Sequence, residues 1–103
     1  YSQRRITLYP MLTHIVCFKY KPDTPESVRQ DHRSRLRGLA ALEGVVDLVV
    51  GEDVVRSPRS YDTGLIVVFQ DRAGLDAYAI NPQHVPVAQY GASICEHIVA
   101  VDF

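Results

Sequence analysis

No stretch of this 103-residue chain approaches the roughly 20 consecutive apolar residues that a membrane-spanning helix requires. The opening Tyr1-Ser-Gln-Arg-Arg-Ile-Thr-Leu-Tyr-Pro10 also lacks the apolar centre of a signal peptide. A positive excess is missing too: 11 Lys and Arg stand against 12 Asp and Glu, so the cationic field behind nonspecific phosphate binding is absent. Neither a membrane nor nucleic acid is therefore an expected partner. Cysteine is scarce, and Cys17 and Cys95 lie far apart within apolar runs. That usage suits reduced thiols in the cytoplasm better than a secreted disulfide framework or a metal clamp. A glycine-rich phosphate loop, a His-Glu-x-x-His and a Cys-x-x-Cys are all wanting, so no cofactor and no metal are expected.

What is present is apolar. Hydrophobic residues make up 47% of the chain and charged residues 22%, in a length that suits a single core. A domain of this size hides only about two-thirds of its unfolded surface, so an apolar surplus is most simply absorbed by a second subunit. Met11 is a plausible start, which makes residues 1–10 an N-terminal extension and 11–103 the domain.

The run Leu12 to Tyr20, with Ile15, Val16, Cys17 and Phe18, is predicted as a strand ending at Lys21-Pro22-Asp23. Thr24 then caps a helix with Pro25 at its first position and Glu26 in its first turn, continuing to about Leu42. Val28, Leu36, Leu39 and Ala40 form its apolar stripe. Arg29, Arg33 and Arg37 recur every four residues as a solvated face, with Asp31 and Arg35 as an i,i+4 ion pair. Glu43-Gly44 stops the helix. A second strand is expected over Val45 to Val55, with a bulge at Gly51, and a third over Gly64 to Gln70. Asp71 caps a second helix reaching Asn81, with Leu75, Tyr78 and Ala79 inward. A short helical piece over Gln83 to Ala92 and a strand from Ile94 to Phe103 complete the chain.

This order, β-α-β-β-α-β, defines an α+β, ferredoxin-like sandwich with helices on one face of a four-stranded antiparallel sheet. The other face should then alternate with polar residues, because side chains point to opposite sides with a period of two. It does not. Ile15 and Cys17 oppose Val16 and Phe18, while Leu65, Val67 and Phe69 oppose Ile66 and Val68. Both faces require cover, and the second is expected to pack on the same face of another copy, giving a homodimer joined through the sheet.

Chemistry near neutral pH begins with His14, His32, His84 and His97. His14 shares strand parity with Val16 and Phe18. His84 follows the Pro82 break, where it can face a cavity, and Tyr78 lies on a packing stripe where its hydroxyl needs a partner. His32 and His97 are expected to be structural.

Several segments together resemble the stress-responsive dimeric α/β-barrel family. They are His14-Ile-Val-Cys-Phe-Lys-Tyr-Lys-Pro-Asp23, Val50-Gly51-Glu-Asp53, Arg56-Ser57, Ser60-Tyr61-Asp62-Thr-Gly64-Leu65, Tyr78, Asn81-Pro82-Gln83-His84 and Val101-Asp102-Phe103. The resemblance spans about Met11 to Phe103. It implies a ferredoxin-like protomer, two of which join their sheets into a barrel, and it leaves the activity unassigned, with a small hydrophobic molecule as ligand. A plant member of that family is a polyketide cyclase working by aldol condensation without metal or organic cofactor. Its key positions carry over to His14, Tyr78 and His84. In that alternative His84 is the general base, Tyr78 and His14 orient and hydrogen-bond the substrate, and Val16 and Phe18 line its cavity. Asn81 departs from the family pattern, which often has His before this Pro.

Overall fold

The computed structural model describes residues 11–103, so the expected N-terminal extension lies outside the described residues. Strand β1 (Leu12–Tyr20) is followed by helix α1 (Glu26–Gly38), a 3₁₀ turn (Leu39–Ala41), strands β2 (Val45–Glu52) and β3 (Thr63–Phe69), helices α2 (Arg72–Ala79) and α3 (Val85–Ile94), and strand β4 (Cys95–Asp102). The four strands form one antiparallel sheet in the order β2-β3-β1-β4. This is the ferredoxin-like sandwich expected from the alternation, with a full third helix where a short piece was expected.

Helix boundaries depart from the sequence reading for local reasons. Thr24 is not the cap of α1: its hydroxyl donates to the Ile94 carbonyl, tying the loop after β1 to the end of α3. Pro25 takes the cap position instead, which suits a residue without an N–H to satisfy. The helix tightens after Gly38 into the 3₁₀ turn rather than running to Leu42, and Gly44, at φ +91°, turns the chain into β2. Asp71 does cap α2, accepting from the Gly74 N–H at 3.0 Å. That helix ends at Ala79, which is exposed together with Ala40 of the predicted α1 stripe. Strand β2 stops at Glu52, and its irregularity lies between Val45 and Asp47 rather than at Gly51, which pairs in register with Gly64.

The core forms between the helices and one sheet face, where Leu36, Leu39, Leu65, Val67, Phe69 and Tyr78 are nearly inaccessible. One expectation fails here. Arg33 is not part of a solvated face but is 2% exposed, because its place on α1 falls beside His32 and Leu36 on the buried side. Its Nε donates to Thr63 Oγ1 at 2.8 Å, and Thr63 hydrogen-bonds Tyr20 Oη, which in turn meets His32 Nδ1 at 2.7 Å. This seam satisfies groups that would otherwise be costly to bury. Asp31 and Arg35 form the expected surface pair at 2.8 Å.

Among the described residues, no helix covers the opposite sheet face. Directly opposed residues of an antiparallel pair share a face, so the registers define rows across the sheet. One row is Val49, Ile66, Ile15 and Val101, all β-branched; the next is Gly51, Gly64, Cys17 and Val99. A ridge therefore runs beside a trough, and a shallow apolar concavity of about 410 Å³ opens over the two glycines. In the single protomer Val49 is 54% exposed and Val99 48%, so the apolar residues of this face stand in solvent.

Candidate functional site

A cavity of about 130 Å³ lies between the helices and the sheet, toward the start of β1. His14, Val16 and Phe18 reach it from β1 because alternate residues of a strand share a face. Tyr78 descends from α2 and His84 from the first residue before α3, where the break at Pro82 brings the chain back over the sheet. All five residues singled out from the sequence thus line one cavity, together with Leu65, Val87 and Ile98 among others.

The polar groups cluster. The Tyr78 and His84 rings have centroids 4.2 Å apart, and the His14 ring meets Tyr78 edge-on at 6.2 Å. His84 Nδ1–H donates to the Ala79 carbonyl at 3.2 Å, which leaves Nε2 as its basic nitrogen. Burial lowers the His84 pKa, the Ala79 bond opposes that shift, and the neighbouring His14 adds to it. The imidazole is therefore neutral at pH 7. Burial pushes the Tyr78 phenol up to about 12, so it is a donor and not a phenolate. Its hydroxyl is fully buried and has no hydrogen-bond partner among the described residues, contrary to the expectation for a packed tyrosine.

His14 has a partner the sequence reading missed. Asp102 stands opposite it in the β1–β4 register, and its carboxylate accepts from His14 Nδ1–H. The two residues are 88 positions apart, and only the strand pairing reveals the contact. His97, on β4, pairs in register with Lys19 and lies away from this cavity, while His32 belongs to the buried seam. Among the described residues no group of three or more His, Cys, Asp or Glu side chains is arranged to hold a metal ion.

A ferredoxin-like sandwich with a histidine-and-tyrosine-lined cavity between helices and sheet is the class that fold and site define. The chain belongs to the stress responsive A/B barrel domain family, whose sequence pattern matches residues 12–103. Among solved structures, a dimeric ferredoxin-like protein of unknown function from Thermobifida fusca superposes with a TM-score of 0.83 at 20% identity, covering 98% of both chains. A second dimeric ferredoxin-like protein of unknown function, from Jannaschia, is 27% identical, with a TM-score of 0.76 over 90% of this chain and 97% of the other. A hydroxynitrile lyase from Passiflora edulis superposes at 0.81 with 16% identity, covering 90% and 91%. No curated protein matches the chain.

Proposed function

We propose that the protein is a homodimer that binds a small hydrophobic molecule bearing one hydrogen-bond acceptor in the cavity between helices and sheet. The observation that carries this reading is the Tyr78 hydroxyl, without a partner among the described residues, on a side chain that lines a mainly apolar cavity beside His14 and His84. Leaving a buried donor unpaired costs on the order of 1–3 kcal/mol, which an acceptor on a ligand would offset. The volume sets the size. A cavity of 130 Å³ is close to the roughly 150 Å³ of an engineered apolar cavity that takes benzene, so the fitting ligand is a single ring or a short-chain carbonyl compound.

Dimerisation is supported by the ridge of Val49, Ile66, Ile15 and Val101 lying beside the glycine trough. Turned about a two-fold axis, one copy sets its ridge into the other's trough. The two relatives described as dimeric have the same fold. A cytoplasmic location accords with Cys17 and Cys95 both being free thiols.

A second reading, cofactor-independent carbon–carbon chemistry, is favoured by one observation: a neutral His84 imidazole beside a phenol donor. His84 Nε2 would remove a proton α to a carbonyl, and the Tyr78 hydroxyl would donate to the enolate oxygen, while His14, its Nδ1–H engaged by Asp102, would orient the substrate. The volume disfavours a linear tetraketide as substrate.

Thermal shift with benzaldehyde and benzene tests binding. Benzaldehyde should raise Tm more than benzene in the wild-type protein, and Tyr78→Phe should abolish that difference. An equal response to both compounds overturns the proposed acceptor contact. For the second reading, deuterium exchange at the methyl protons of acetone in D2O should be accelerated by the wild-type protein and not by His84→Ala; no acceleration removes the base.

A further inference from the structure

Toward the other end of β1, a second cleft of about 230 Å³ opens between the start of α1, the end of β2 and the loop before β3. Its character is the reverse of the first. Four positively and four negatively charged side chains line it, so its formal charge balances. At its floor lies Arg33, whose side chain is 3% exposed and whose Nη1 has no hydrogen-bond partner among the described residues. The ion pairs around it are all stretched: Arg33 to Glu52 at 3.4 Å and to Glu26 at 3.6 Å, Arg29 to Asp62 at 3.8 Å, and Arg56 to Glu52 at 3.9 Å. The surface pairs Arg35–Asp31 and Arg72–Asp76 close at 2.8 and 2.9 Å. Charges in the cleft thus lie beyond the distance of a good charged hydrogen bond.

A simple anion in this cleft meets four carboxylates, and a simple cation meets four positive groups. A molecule with adjacent opposite charges meets neither penalty. We propose that the cleft binds a small zwitterion of the α-amino acid class, with its carboxylate on Arg33 Nη1 and Arg56 and its ammonium between Glu26 and Glu52. Both glutamates are substantially exposed, and the Gln30 amide donates to each, at 2.8 and 3.5 Å, which sets their two carboxylates side by side at the cleft. Arg33 is fixed from behind by Thr63, which presents the guanidinium without further ordering. The volume exceeds what the shared head group needs, leaving room for a short side chain.

The test is an NMR titration of the 15N-labelled full chain at constant ionic strength with glycine, L-serine and L-asparagine, and separately with sodium acetate and methylammonium chloride. At least one amino acid should shift the backbone amides of Glu52, Asp53 and Arg56 saturably, while acetate and methylammonium should not saturate. Glu52→Gln, at an exposed position, should weaken that binding about tenfold or more, while Arg72→Gln on α2 should leave it unchanged. Saturation by none of the three amino acids, acetate binding as tightly as they do, or full affinity in Glu52→Gln would each overturn the proposal.

Discussion

A Cβ placed on Gly91 of α3 would lie 2.9 Å from His32 Nε2 of α1, closer than a carbon can sit against that ring. The glycine lets α1 and α3 approach around a histidine that is wholly inaccessible to solvent. Gly91→Ala should therefore destabilise the protein. The strain of overpacking is about 1–3 kcal/mol, against a gain of about 1 kcal/mol in helix propensity, so the net loss is on the order of 1 kcal/mol. Urea denaturation should show a lower midpoint with an unchanged m-value, and a midpoint at or above wild type would contradict the contact.

His32 should make stability acid-sensitive. Burial is the main cause that lowers its pKa to about 4, and the adjacent Arg33 reinforces the shift. The folded state therefore binds the proton more weakly than the unfolded state, whose histidine titrates near 6.5. Stability from this group is complete above pH 6.5 and falls as pH drops toward 4, by on the order of 3 kcal/mol in all. Chemical denaturation between pH 7 and pH 4 should show this loss, and a flat profile across that window would contradict it.

Tyr78→Phe separates stability from binding. The hydroxyl has no partner among the described residues, so its removal should leave the unfolding free energy unchanged or raise it by up to about 1 kcal/mol. The aromatic packing on Phe69, at 5.0 Å between centroids, is kept. A loss above 1 kcal/mol in equilibrium unfolding would mean that the hydroxyl is bonded within the folded protein.

Ile66→Lys should convert the dimer to a monomer. Ile66 sits within the ridge on the uncovered sheet face, 40% exposed in the protomer, so a lysine is tolerated by the fold and opposes face-to-face packing. Sedimentation equilibrium at micromolar concentration should report a dimer for the wild type and a monomer for the variant. A wild-type monomer would defeat the sheet-to-sheet assembly.

Asp102→Asn keeps the shape of the β4 partner but removes its charge, and should weaken the hold on His14 without disturbing the sheet. The His14 Nδ1–H proton, followed by NMR, should exchange faster with solvent in the variant, because a neutral amide oxygen accepts it less strongly than a carboxylate does. An identical exchange rate in both proteins would show that the contact does not form in solution.

The element order and the two-sided hydrophobicity of β1 and β3 were legible because each depends on local periodicity, whereas the grouping of His14, Tyr78 and His84 rested on the family resemblance. Val16 and Phe18 share a face with His14 whatever the rest of the chain does. What the sequence concealed lies across long separations. Arg33 looked like one member of an arginine stripe, and only the angle at which α1 lies on the sheet turns it inward onto Thr63. The His14–Asp102 contact depends on the β1–β4 register, and the Gly91–His32 approach on the distance between two helices. Side-chain period is a property of the chain and can be read from it. Register, helix rotation and the meeting of remote charges are set by how whole elements pack, and only the tertiary structure decided them.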